Sequence, residues 1–260
     1  MKKNIFIAGS SGLIGSKLKV ELSKEFNIID FDRHNIKSEN YFAYDKQNSL
    51  IPDMNGLMII NCAFNFNDLN IHSENQNLII VNNLLKFKNK NKISFLINLS
   101  TLSSFKTAKS KYGKLKYFIE TFLSRKIGCY SIRIGLPEYK GVSIGLLKKI
   151  KMVTNFFPLI NFYFKSCPTQ RITSIENLSI FIKRSFICIK TFPRERILNC
   201  CYDIDYDFNT LIKKNIYLFS IPVNDTLLYK LLLCANFLGI NFFRADSFIG
   251  LINCNKNIKI

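Results

Sequence analysis

An α/β fold with a doubly wound parallel sheet, helices on both faces and a smaller C-terminal region is what the sequence predicts, on three observations. Short apolar runs alternate with helical patterns through the first 137 residues, the rhythm that produces parallel strands joined by helices. Glycines at 9, 12 and 15 follow the first of those runs and open a helix. After about Pro137 aromatic and Pro-broken segments replace the regular alternation. The expected division is residues 1–137 as one domain and 138–260 as a smaller α+β region packed on it.

Each element has its own warrant. Ile5 to Ala8 is a first strand, and Leu13, Leu18 and Leu22 carry a helix from the glycine turn through Lys24. Asn27 to Phe31 is a second strand, with Asp32 and Arg33 at its end. Tyr41 to Tyr44 reads as a short third strand ending at Asp45, and Leu57 to Asn61 as a buried fourth passing into Cys62, Ala63 and Phe64. Asn65 to Asn77 is a polar surface loop, a helix then runs to about Lys88, and Lys86 to Lys92 is a basic link. Ile93 to Leu99 is almost wholly apolar, as a strand covered on both faces should be. Lys111 to Lys126 has helical spacing at Leu115, Phe118, Ile119 and Phe122, and Cys129 to Ile134 is a sixth strand. Beyond Pro137 the expectations are helices at Val142 to Val153, Ile175 to Ile189, Phe208 to Lys214 and Asp225 to Leu238. Strands are expected at Arg196 to Cys201 and Ile216 to Ile221. The apolar Asp225 to Leu238 helix is expected to pack on the core rather than lie on a membrane.

Composition narrows the function. The net charge is +19, but the basic residues are 29 Lys against 8 Arg and are spread along the chain. Specific nucleic-acid recognition leans more on Arg forks, so no nucleic-acid partner is expected. The eight cysteines form no C-x-x-C pair, which points to reduced thiols in a cytoplasmic protein. With only His34 and His72, a histidine metal site is not expected. No run approaches the ~18 apolar residues that a membrane helix needs.

The glycine turn carries the first chemical signal. A strand, a turn containing Gly9, Ser10, Ser11 and Gly12, and a helix starting with Leu13, Ile14 and Gly15 aim backbone amides at one point. Such a point suits a pyrophosphate, because glycine permits close backbone approach and the first helical turn presents free N–H groups. Asp32 stands where a dinucleotide site needs an acid for the adenosine ribose, while Arg33 could hold a 2′-phosphate. The cofactor is therefore NAD or NADP, with NAD slightly preferred.

In an open parallel sheet, ligands lie beyond the carboxyl ends of the strands. Those ends carry Asp45, Cys62, Ala63, Phe64, Ser100, Thr101 and Arg133. Just after them, Tyr112 and Lys116 are one helical turn apart and share a face. An ammonium near a phenol lowers its pKa from about 10 and makes it usable for proton transfer. A hydroxyl from Thr101 or Ser100 could hold the substrate oxygen beside it.

Taken together, these residues resemble the short-chain dehydrogenase/reductase superfamily, in particular its extended, Rossmann-like branch of NAD-dependent epimerases and dehydratases acting on nucleotide sugars. Gly9, Gly12 and Gly15 match the branch's glycine turn, Asp32 its ribose acid, Asp45 its adenine-contacting acid, and Cys62-Ala63 the residues beside the cofactor. Ser100-Thr101-Leu102-Ser103 resembles the hydroxyl strand end, and Tyr112 to Lys116 the Tyr/Lys helix. Ile132-Arg133 and Ile172 to Asn177 match the entry into the substrate half. The ending Phe243 to Leu251 is similar to that of uncharacterised members associated with surface-polysaccharide gene clusters. The resemblance implies that Lys116 also binds the nicotinamide ribose, that Tyr112 exchanges a proton with the substrate, and that Thr101, ahead of Ser100, hydrogen-bonds it. It further implies a homodimer through the Tyr112 helix. Two departures stand out: the Thr101 to Tyr112 loop is short, and Leu102 and Ser103 replace the acids that elimination chemistry uses. The expected activity is therefore that of a 4-epimerase or a keto-sugar reductase, with a non-catalytic dinucleotide-binding protein of the same fold as the alternative.

Overall fold

Ile5, Phe6, Ile7 and Ala8 have no exposed surface, so the first strand is covered on both faces and must lie inside a sheet. A computed structural model describes residues 2–31, 42, 44–47, 50–157, 159–164, 169–187, 193–202, 204–213, 217–237 and 244–252. In chain order the first half contains β1 (Asn4–Ala8), α1 (Leu13–Ser23), β2 (Asn27–Phe31), β3 (Met58–Asn61), α2 (Gln76–Lys90), β4 (Phe95–Thr101), α3 (Lys111–Ser124) and β5 (Cys129–Ile134). There follow β6 (Leu136–Tyr139), β7 (Val142–Ser143), α4 (Leu146–Asn155), β8 (Ile160–Phe164), β9 (Thr169–Gln170), β10 (Ile172–Ser174) and α5 (Ile175–Phe186). The chain continues through β11 (Ile197–Cys200), β12 (Tyr206–Asp207), α6 (Phe208–Ile212), β13 (Phe219–Val223), α7 (Asp225–Phe237) and α8 (Ala245–Ile252).

The main sheet has six strands in the order β11-β5-β4-β3-β1-β2, and every neighbouring pair is parallel. Strand residues alternate between two cores. Ile5, Ile7, Ile60, Ile97 and Ile132 meet Leu18 and Leu22 of α1 and Leu178 and Ile182 of α5. Phe6, Ile59 and Leu96 meet Leu84 of α2 and Leu115 and Ile119 of α3. Helices thus cover both faces, and the doubly wound Rossmann-like α/β architecture expected from the sequence is present. A third cluster, with Leu147, Phe164, Phe208, Ile212, Phe248 and Leu251, forms the core of the C-terminal elements.

Several local expectations are corrected. The described residues at 42 and 44–45 form no strand: Tyr44 and Asp45 lie in a turn. Phe42 and Tyr44, two apart, both insert beside Phe31, and Phe42 also stacks on Phe87, so their alternation reflects core packing instead of sheet pairing. The sixth strand of the sheet is supplied by β11, from beyond residue 137. The polar 65–77 stretch is a loop up to Asn75, as expected, and is bonded internally: buried Asn75 donates to Asp68 and Asn70, and Asp68 accepts the Gln76 N–H at 2.6 Å. Helix α2 continues through Lys90 and buries Lys88. The helix expected from Val142 begins instead at Leu146, because Lys140 and Gly141 turn β6 back against β7. Helix α7 packs Leu228, Tyr229 and Leu232 on the third cluster but leaves Leu227, Leu231 and Leu233 exposed.

Candidate active site

The glycine corner is built from backbone contacts that side chains would break. Gly9 has φ +74°, and a Cβ there would lie 2.7 Å from the Ala63 amide nitrogen. The Gly12 N–H donates to the Gly9 carbonyl at 3.0 Å. A Cβ on Gly15 would come within 2.2 Å of that same carbonyl oxygen. Gly12 caps α1 without a side chain, and the first turn is Leu13, Ile14, Gly15 and Ser16, with no carboxylate. An uncapped helix N-terminus beside a side-chain-free cradle fits an anionic diphosphate. Ser10 is buried and Ser11 exposed at the rim. Leu13 is half exposed and points toward Gly145, while Ile14 packs on the first core.

Residues 61–64 connect this corner to the Tyr/Lys pair. Asn61, buried at the end of β3, accepts the Ala63 N–H at 3.1 Å and donates to Asn98 on β4 at 2.9 Å. That fixes Cys62 and Ala63 against Gly9. Phe64 follows directly, with its ring edge-on to Tyr112 at 5.1 Å and the Lys116 Nζ 4.4 Å from its centre. Lys116 is buried and donates to the Leu99 carbonyl at 2.7 Å. Burial lowers its pKa to about 8, against the opposing pull of Glu120 and Cys62. Burial also pushes the Cys62 thiol up to about 12, so it stays protonated.

Tyr112 departs from the expected electrostatics. Its phenol is held above its ordinary range by burial first, then by the charges of Glu120 and Asp246. The Lys116 ammonium sits 5.9 Å from the Tyr112 ring centre and is engaged by Leu99 and Phe64. Desolvation therefore outweighs its attraction for a phenolate. Phe66 stacks on the Tyr112 ring at 5.3 Å.

Ser100 and Thr101 occupy the end of β4 and, being adjacent, face opposite sides. The Thr101 Oγ1 accepts the Ser103 N–H at 3.2 Å. The Ser100 hydroxyl is buried with no hydrogen-bond partner among the described residues. Asp45 is half-buried, and its carbonyl accepts the Gln76 side-chain amide. Asp32 and Arg33 lie outside the described residues.

Four further features escape a residue-by-residue reading. Asp246, on α8, accepts the backbone N–H groups of Lys111 and Tyr112. The Arg244 guanidinium lies 4.5 Å from the Phe66 ring centre. Glu120, two turns from Tyr112 on α3, is fully buried and takes a two-pronged bond from Arg133 at 3.0 and 2.7 Å. The Asn61 and Asn98 pair spans two strands in register. A visible signal for that pair was an asparagine interrupting each of two apolar runs.

The fold is a Rossmann-like α/β fold, one also found in solved nucleotide-sugar epimerases. No family model matches the chain, and no curated protein matches it by sequence. By shape it is similar to UDP-N-acetylglucosamine 4-epimerase from Bacillus cereus, with a TM-score of 0.63, 13% identity, and coverage of 96% of this chain and 98% of that one. It is similar to the Bordetella bronchiseptica enzyme WbmG, solved in complex with NAD, at TM-score 0.61 and 12% identity over 97% and 93% of the two chains. A GDP-6-OMe-4-keto-L-xylo-heptose reductase from C. jejuni matches at TM-score 0.57 and 12% identity over 86% of each chain.

Proposed function

We propose that the chain is an NAD(P)-dependent enzyme acting on a nucleotide-linked sugar, as a 4-epimerase or a keto-sugar reductase. One observation carries this reading: Gly9 touches Ala63, and the next residue, Phe64, touches both Tyr112 and Lys116. The cradle for a diphosphate and the proton-transfer pair are therefore neighbours in space. Gly9, Ser10, Ser11, Gly12, Leu13, Ile14 and Gly15 are proposed to hold the diphosphate, Asp32 and Asp45 the adenosine end, and Cys62, Ala63, Phe64 and Lys116 the nicotinamide end. NAD is the favoured form through Asp32, with Arg33 as the residue that would admit NADP.

When bound, the nicotinamide supplies or accepts a hydride. The Tyr112 phenol, raised above its ordinary range, keeps its proton at neutral pH and serves as the acid toward a carbonyl oxygen. That role suits ketone reduction directly, and epimerisation in its second half. Thr101, or Ser100, hydrogen-bonds the same oxygen, and the Lys116 ammonium supplies positive charge below about pH 8. The same reading includes a cytoplasmic setting and a homodimer through α3, whose exposed Phe118 supports a contact there. No described helix is long and apolar enough to cross a membrane.

A second reading, dinucleotide binding without catalysis, draws support from the Phe66 ring stacked over Tyr112. One experiment separates the two. Thermal-shift titration with NAD, NADP and a panel of nucleotide sugars should show stabilisation by a cofactor and by one sugar nucleotide. The Tyr112→Phe variant should then keep the cofactor shift and lose turnover. Cofactor binding with no hydride exchange on any sugar nucleotide would favour the second reading.

A further inference from the structure

The ribbon formed by β8 and β13 carries an apolar surface that no other described element covers. Among the described residues these two strands pair only with each other, in parallel, with Phe219 opposite Ile160 and Ile221 opposite Phe162. Such a two-stranded unit is marginal on its own. At its tip Phe156, Leu218 and Phe219 are 79%, 68% and 64% exposed, and Phe157, Leu159 and Ile221 are exposed beside them. The group is contiguous: the N–H groups of Leu218 and Phe219 both donate to the Leu159 carbonyl, and the Ile160 N–H donates to that of Phe157. Isolated exposed apolar residues are ordinary, but a joined cluster of six marks an interaction surface.

Charge identifies the occupant. Between residues 139 and 175 the sequence holds no Asp or Glu, and none occurs from 208 to 224. The described part of these stretches brings exposed Lys148, Lys149 and Lys213. A second copy would meet this face with the same lysines, so like charges oppose that pairing. Single-stranded nucleic acid could stack on the phenylalanines, but Leu159, Leu218 and Ile221 offer no stacking plane. An anionic bilayer satisfies both features, since apolar side chains enter the headgroup boundary while lysines meet lipid phosphates.

We propose that the tip of the β8–β13 ribbon, with the lysines of α4, seats the protein on the surface of an anionic lipid bilayer. The test is co-sedimentation of the full chain with vesicles of phosphatidylcholine containing phosphatidylglycerol, against phosphatidylcholine alone, at low and high salt, with a polyuridine RNA as a further arm. Binding to the phosphatidylglycerol vesicles alone, weakened by salt, is the expected result. The double variant F156S/F219S should weaken that binding on the order of a hundredfold, and K148E/K149E should remove its preference for anionic lipid. All four positions are exposed, so both variants should unfold at the wild-type temperature. Absence of vesicle binding, vesicle binding unchanged in F156S/F219S, binding to RNA but not vesicles, or self-association through this face without vesicle binding would each overturn the proposal.

Discussion

Asp246 accepts the backbone N–H groups of Lys111 and Tyr112 at 2.7 and 2.8 Å, joining residues 135 and 134 positions apart in sequence at the start of the helix that carries the candidate acid. Two N–H groups that the helix cannot satisfy internally thus receive a carboxylate from α8, where the macrodipole also favours negative charge. Ser110 accepts the Gly113 N–H at 2.9 Å, and Ser103 donates to the Gly250 carbonyl at 2.9 Å. The Asp246→Ala variant should lose about 1 kcal/mol of stability, the usual worth of a cap, measured by chemical denaturation.

The same carboxylate adds to the rise of the phenol's pKa, after burial and Glu120. Around Tyr112 stand Lys116 and Glu120 on α3, Asp246 on α8, and Arg244 behind Phe66. Replacing Asp246 with Asn removes one of the two negative charges that hold the phenol up, so its pKa should fall. Ultraviolet difference titration against Tyr112→Phe reads that shift. An unchanged titration would mean that Asp246 acts only as a structural cap.

Lys116 gives a pH dependence of opposite sign to a normal surface lysine. Its folded pKa of about 8 lies below the ordinary 10.5, so between those values the unfolded chain binds more protons. Stability from this residue therefore rises with pH across that window. The Lys116→Met variant should lack that gain when unfolding free energies at about pH 7 and about pH 10 are compared. Turnover that needs the ammonium should fall as pH passes through about 8.

Gly9→Ala tests the cradle. The new Cβ would meet backbone at Ala63, which cannot swing aside as a flexible side chain could, and the φ of +74° itself costs about 1–2 kcal/mol for an L-residue. Expected outcomes are a lowered unfolding temperature and a dinucleotide affinity reduced by about tenfold or more, read by isothermal titration calorimetry.

The Glu120 and Arg133 pair is a buried ion pair whose halves need each other. Glu120→Gln should cost about 3–5 kcal/mol by leaving the guanidinium without its counter-charge. The double replacement Glu120→Leu with Arg133→Met should recover much of that loss. Denaturant midpoints of the single and double variants decide the matter.

Much of this was legible in the chain because it is local. The β1, turn and α1 unit could be read from Ile5 to Leu22, since apolar spacing and glycine positions act within a few residues. Tyr112 and Lys116 could be placed on one face from their spacing alone. What resisted reading is non-local. Phe42 and Tyr44 looked like a strand because alternation does not say whether a partner strand is present. The Asp246 cap and the Arg244, Phe66 and Tyr112 stack join segments whose proximity no spacing encodes. The rise of the Tyr112 pKa followed from enclosure by Phe64 and Phe66, and burial cannot be counted from residue types.

The place of β11 at the border of the main sheet makes the two parts of the chain mutually dependent. Through its pairing with β5, a segment from the C-terminal part of the chain shields the backbone of Ser131–Ile134. A fragment stopped after Pro137 would expose that backbone as a ready template for strangers, and it should come out of expression as insoluble material, not as a smaller working nucleotide binder.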